Sequence, residues 1–385
     1  MKMNNEVITD SIQDKNNDGK RDKLAKEYSK VNQIISLIET ILFFVITILF
    51  IVTGYSKSLE AFAFEFTSNA YIALLIFFGL FGIFQSVISF PLGFYSEYIL
   101  EHKYQLSNQT ITGFFIEKFK GMLVGILIGV PLTLIFYYII RNYPESWWLI
   151  LGIAIFFFSV IIGRLAPVLI MPLFYKFKPV ANREIEDRIK SLCEKTGVKV
   201  QGIFEFDMSK NTKKANAAFT GLGKSKRIIL GDTLLEKFSP EEIEMVFAHE
   251  MGHYKKRHIL KLMSVSVIMT FAGLYFTSLL YSDTLGFFGF SSVSEIAALP
   301  LLFLYLGLFG LITTPVSSIL SRKYEWEADT FALETTLDRK SFISAMEKLA
   351  DQNLADKTPN KVIEFLFHSH PSIDKRIKFA ENFKF

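Results

Sequence analysis

Cysteine is almost absent: Cys193 stands alone, so no intramolecular disulfide can staple this chain, and the residue reads as a packing side chain in a helix. Histidine is scarce as well. Six are present in 385 residues, so two of them at a meaningful spacing carry more weight than in a histidine-rich chain. No apolar run opens the sequence. The first follows a polar stretch of about thirty residues and is long enough to span a bilayer, so it is expected to act as a retained anchor and not as a cleaved secretory signal. Positive charge is missing from particular places, because segments 55–70, 141–146 and 283–296 hold only Lys57 and Arg141. The net charge of +4 reflects that unevenness and makes no case for a nucleic-acid partner.

What is abundant is hydrophobic side chain. Half the residues are apolar and 40 are Phe, gathered into runs at 34–54, 71–95, 119–140, 147–171, 259–282 and 297–320, each near the roughly 20 residues needed to cross a bilayer. The expected partner is therefore the lipid bilayer, crossed about six times. Nearly all the Lys and Arg lie in 1–33, 96–118, 172–258 and 321–385, so by the positive-inside rule both termini and the two long polar segments face the cytoplasm. The fold class expected is mostly α: a polytopic helical bundle of about six spans with a small α/β insert. Its organisation reads as a disordered cytoplasmic tail at 1–30, four spans in 31–171, the insert at 172–258, two further spans in 259–320, and a cytoplasmic helical region at 321–385.

The chemistry begins with His249-Glu250-Met251-Gly252-His253. On a helix the two histidines lie four apart on one face and can reach one zinc ion, while Glu250 points to the adjacent side as a base for a water. Ser239-Pro240-Glu241-Glu242 just upstream is a helix-start signal that makes the pentad helical. A catalytic zinc needs a third protein ligand. Glu325 is the candidate, since Asp329 follows one turn later and could hold a histidine ring by its second nitrogen. Glu327 competes for that place. His258, after Lys255-Lys256-Arg257, reads as a surface residue at the interface.

Within the insert, a helix at 182–195 precedes a strand at 198–206. An extended stretch at 215–220 leads through Gly221-Leu222-Gly223 to a strand at 227–230 and then the pentad helix. An edge strand beside a metal helix is a place to bind an extended peptide, so a polypeptide substrate is expected.

These residues, together with Glu101-His102-Lys103-Tyr104-Gln105-Leu106-Ser107-Asn108-Gln109-Thr110, Ala166-Pro167, the stretch 172–179, Asn216-Ala217, Glu325 with Ala328-Asp329, and His368-Ser369-His370-Pro371 with Arg376, resemble the type I CAAX prenyl endopeptidase family of integral-membrane gluzincins. The resemblance spans about residues 30–380 in the expected order. It implies one zinc per chain on His249, His253 and Glu325, with Asp329 behind them and Glu250 as general base. It also implies His370 and Arg376 as catalytic groups beside the substrate, and Asn216 and Ala217 on the substrate strand. The activity implied is hydrolysis of peptide bonds in a hydrophobic, lipidated or membrane-associated polypeptide. Eukaryotic members are usually drawn with seven spans, against six here. The alternative is a non-catalytic membrane scaffold, but such a protein usually loses a ligand or the base, and His249, Glu250, His253 and Glu325 are all present.

Overall fold

In the computed structural model, which describes residues 2–220 and 227–385, the long apolar runs fold as helices, since a helix satisfies all its backbone groups within one segment. The membrane part begins with α1 (Lys2–Val52), a short α2 (Tyr55–Phe66), α3 (Ala70–Phe94), α4 (Ile111–Asn142) and α5 (Trp147–Leu165). The polar part follows with β1 (Phe177–Pro179), α6 (Arg183–Thr196), β2 (Gly202–Phe206), β3 (Ala217–Thr220), β4 (Arg227–Gly231), α7 (Asp232–Lys237) and α8 (Pro240–Lys255). The chain then returns through α9 (His258–Thr284) and α10 (Leu299–Thr336), and ends in α11 (Arg339–Gln352), α12 (Lys361–Phe367) and α13 (Ile373–Glu381). Among the described residues six helices are long and apolar enough to cross a membrane: α1, α3, α4, α5, α9 and α10. The expected count of spans and the mostly helical fold are borne out. The twelve residues of α2 are too few to cross.

Asn69 starts α3 by accepting from Tyr71 N at 2.9 Å, and Thr110 starts α4 by accepting from Gly113 N at 3.0 Å. The three cation-poor connections gather at one end of the bundle. Glu60 accepts from Ile296 N at 2.9 Å, Lys57 Nζ donates to the Gly289 carbonyl, and Arg141 lies over the Tyr71 ring at 5.7 Å. Phe77, Ile140, Trp147, Tyr281 and Leu302 are buried in the core beneath them.

The stretch expected to be disordered differs. Backbone from Lys2 onward is helical and continuous with the first span, and the sequence gives the reason: residues 2–33 contain no proline and one glycine. From Gly19 on, the helix also has something to pack against. Ala25 is buried with Leu106 and Leu354, the Tyr28 hydroxyl donates to Glu101, and Lys214 Nζ reaches Tyr28 Oη at 3.0 Å.

The sheet has the order β1-β2-β4-β3, with β2 and β4 parallel and β3 antiparallel on the outer side of β4. The expected edge strand is thus β3. Its approach is held by the 101–110 stretch, where Asn108 N donates to Asn211 O at 3.1 Å and Lys213 N to Leu106 O at 2.8 Å. The segments 172–258 and 321–385, separate in sequence, share one core: Ile189, Leu230 and Phe247 pack in the same cluster as Phe342, Met346 and Ala380.

Candidate metal centre

The helix that carries the pentad is fixed at its start. Ser239 Oγ accepts from Glu242 N at 3.4 Å and Glu242 returns the contact to Ser239 N at 2.8 Å, a reciprocal cap with Pro240 in the first turn. Burial works against the Glu242 carboxylate, but Lys348 and Ser344 on α11 outweigh it and hold its pKa below the ordinary value. Farther along, Gly252 lets α8 and α10 touch backbone to backbone, since a Cβ there would stand 3.0 Å from Ala328 Cα. That close crossing brings Glu325, one turn before Ala328, over the histidines.

His249, His253 and Glu325 then converge, their ligand atoms all within 4.8 Å of one another. Glu325 Oε1 is 3.2 Å from His253 Nε2 and Glu325 Oε2 is 3.4 Å from His249 Nε2. The two Nε2 atoms face each other at 3.1 Å. Glu325 is 3% exposed, and among the described residues its Oε2 accepts no hydrogen bond of proper geometry. A buried carboxylate oxygen with no well-aligned hydrogen bond, beside two imidazole nitrogens that face each other, leaves the group poorly satisfied as a hydrogen-bond network. A tetrahedral divalent cation accepts all three donors at once, so this set could hold a metal. Glu327 is elsewhere, with Oε2 3.0 Å from His258 Nε2.

Behind the cluster, Asp329 is fully buried and bound twice by Arg376, Nε to Oδ2 at 2.8 Å and Nη2 to Oδ1 at 2.6 Å. Its Oδ1 also meets His249 Nδ1 at 2.8 Å. Burial pushes the His249 pKa down, but the Asp329 and Glu325 carboxylates outweigh it and lift it to about 9. Arg376 is itself buried, which lowers its pKa, yet the charges of Asp329, Glu325 and Glu250 raise it above the ordinary value. Its Nη1 lies 3.8 Å from Glu325 Oε2, so the guanidinium belongs to the scaffold under the cluster. Glu250 is half-buried on the same helix.

His370 reaches the cluster from the C-terminal segment, exposed but with Nδ1 2.8 Å from Glu325 Oε2. Its loop is tied at both ends. Arg322 on α10 donates to the carbonyls of Glu364 at 2.8 Å and His368 at 2.6 Å, and Glu364 accepts from Ser372 N at 3.0 Å. His368 is half-buried and does not join the cluster; burial lowers its pKa. Both histidines line a cleft of about 520 Å³ between α1 and the loops at 353–359 and 368–373.

On the other side, the Asn216 carbonyl accepts from Gly231 N at 2.9 Å, and Ala217 pairs with Leu230. The outer edge of β3 carries no further strand among the described residues. Asn353 holds the start of this strand by accepting from Ala215 N at 2.8 Å. Gly221-Leu222-Gly223 lies outside the described residues.

One expectation is amended, and two residues were missed. His258 is 1% exposed, not a surface residue: its ring stacks on Tyr324 at 4.5 Å and its Nδ1 meets His253 Nδ1 at 3.1 Å. Arg322 and Asn353 escaped sequence reasoning, because each acts on backbone groups far along the chain and leaves no local pattern.

Residues 179–384 match the family described as peptidase family M48, and residues 2–176 match that described as CAAX prenyl protease N-terminal, five membrane helices. Between α1 and α3 this chain has only α2 as a further helix. Over 362 residues it is 29% identical to a Bacillus subtilis (strain 168) protein named uncharacterized metalloprotease YhfN, covering 93% of this chain and 85% of that one. It is 30% identical to CAAX prenyl protease 1 of Saccharomyces cerevisiae over 79% of this chain and 71% of that one. The identity is 35% to the CAAX prenyl protease 1 homolog of Dictyostelium discoideum, over 78% and 71% respectively. The crystal structure of S. mikatae Ste24p superposes with a TM-score of 0.84 at 26% identity, covering 94% of this chain and 89% of that chain.

Proposed function

The chain belongs to peptidase family M48 and is an integral-membrane metallopeptidase of the CAAX prenyl protease type, and from that premise we propose how it cuts and what it cuts. The observation that carries the proposal is the convergence of His249, His253 and Glu325, with the pentad helix α8 in contact with the edge strand β3. One zinc per chain would be held by those three residues and would supply Lewis acidity to a carbonyl oxygen and to a water.

The chain's own groups do the rest. Glu250, beside the ligand pair and half-buried, takes a proton from the water and delivers it to the departing amine nitrogen. His370 donates to the carbonyl oxygen as charge grows on it, held within reach by the Arg322 and Glu364 anchors of its loop. Asp329 and Arg376 keep the His249 ring in the tautomer that offers Nε2 to the cation. Arg376 acts through them. The free edge of β3 at Asn216 and Ala217 pairs with the substrate backbone, so that binding is by main-chain hydrogen bonds and reads the extended conformation.

The substrate class is a hydrophobic, lipidated or membrane-associated polypeptide, supported by the names of the relatives and by the attachment of the site to spanning helices. The site faces the cytoplasm. Three connections with few cations cluster at the opposite end of the bundle, which supports that orientation. The five segments at 1–30, 31–171, 172–258, 259–320 and 321–385 are the working division of the chain, with the third and fifth joined in one catalytic unit.

The test is proteomics of membranes from cells that carry the wild type or Glu250→Gln. Protein termini that appear only with the wild type would identify substrates. Identical terminal profiles would leave a scaffold that keeps the fold as the better reading.

A further inference from the structure

We infer that His258 and Glu327 form a positioning pair that selects the metal-binding tautomer of His253. The inference rests on the reading of His253 as a metal ligand.

The pair exists because the chain reverses sharply after α8. In a continuing helix a residue five positions on lies on another face and cannot reach back. Here Arg257 takes left-handed backbone, φ 56° and ψ 36°, and its N donates to Tyr254 O at 3.0 Å. A non-glycine residue in that region is uncommon and strained. The turn brings His258, the first residue of α9, back against His253, where it is 1% exposed. Its ring lies flat on Tyr324, with an interplanar angle of 13°.

The proton positions follow from what each atom can do. Glu327 Oε2, 3.0 Å from His258 Nε2 and 3.7 Å from Lys261 Nζ, is a carboxylate oxygen and only accepts. His258 Nε2 therefore carries a hydrogen. The neutral ring then has a lone pair at Nδ1, which accepts from His253 Nδ1 at 3.1 Å. His253 is left with its lone pair on Nε2, the atom that faces His249 and Glu325. A carboxylate, a histidine and a ligand histidine thus form one chain, as Arg376 and Asp329 do for His249. The two chains share no residue.

The experiment measures zinc affinity of the purified full-length protein by chelator competition, together with the visible spectrum after Co²⁺ substitution. Three variants are compared with the wild type. His258→Phe keeps the stack on Tyr324 but has no acceptor for His253, and should bind zinc about 10- to 100-fold more weakly with shifted Co²⁺ bands. His258→Asn retains an oxygen near the Nδ1 position and should recover much of that loss. Glu327→Ala should fall between the wild type and His258→Phe. Wild-type affinity and spectrum in His258→Phe would overturn the inference, as would an equal loss in His258→Phe and His258→Asn. Both of those results leave the metal centre itself standing. If the wild type takes up no zinc, the proposed metal reading falls and this inference goes with it.

Discussion

Asp329 Oδ1 lies 2.8 Å from His249 Nδ1, on residues 80 apart in sequence. A carboxylate at that nitrogen requires the ring hydrogen there and leaves Nε2 as the free lone pair. The same Asp329 makes the two shortest contacts of the buried Arg376, at 2.8 and 2.6 Å. Asp329→Ala should therefore destabilise the protein by about 3–5 kcal/mol, since it strands a guanidinium away from water. Asp329→Ala combined with Arg376→Met should recover part of that loss. Thermal midpoints of the wild type, Asp329→Ala, Arg376→Met and the double variant in one detergent measure the coupling, and additive losses would mean the pair is not coupled.

Metal content separates the candidate ligands. His249→Ala, His253→Ala and Glu325→Ala should each abolish the one zinc bound per chain. Glu327→Ala should still bind one when zinc is in excess, because its carboxylate faces His258. Elemental analysis of protein dialysed against excess zinc decides this, and full occupancy in Glu325→Ala would remove it as third ligand.

Chemistry should separate from metal holding at Glu250. Glu250→Gln keeps shape and an acceptor but cannot take a proton. Zinc content and peptide binding should stay at wild-type level while turnover falls by about 100-fold or more. His370→Ala should likewise keep zinc and lose turnover, since its contact develops mainly with the transition state. A Glu250→Gln enzyme that cleaves a test peptide at the wild-type rate would refute the mechanism.

Orientation is checked with reporters. Fusions after Lys57, Arg141 and Gly286 should read as extracytoplasmic, and one after Phe385 as cytoplasmic. A C-terminal reporter on the outer side would mean that the number of crossings is odd.

Cys193 gives a pH-dependent readout of the α/β part. Burial first, and the nearby Glu194 second, push its thiol up to about 11. The fold favours the neutral thiol, so the associated stability is fully present below the unfolded pKa of roughly 8.5 and is lost as pH rises through the folded value. Iodoacetamide at pH 8 should modify the native protein at least about 100-fold more slowly than the denatured one. Equal rates would show that the α6 face opens readily.

Much of this protein is local chemistry and so is legible in the chain. Six apolar runs of bilayer length dictate six helices, because a helix is how a single run satisfies its own backbone within lipid. The pentad at 249–253 and its Ser239 start signal need only helical periodicity to be read, and Glu325 with Asp329 repeats the same reasoning two helices later, on α10. What sequence could not decide are contacts set by how those helices cross. The Gly252 contact with Ala328 sets the depth at which Glu325 meets His249 and His253, and the turn at Arg257 folds His258 inward instead of leaving it at the surface. Likewise the first thirty residues read as polar and unpartnered until Ala25 and Tyr28 meet the loop at 101–106 and Lys214. Periodicity states which face of a helix is apolar; only tertiary packing states which residues, tens or hundreds of positions away, complete a buried charge or a hydrogen bond.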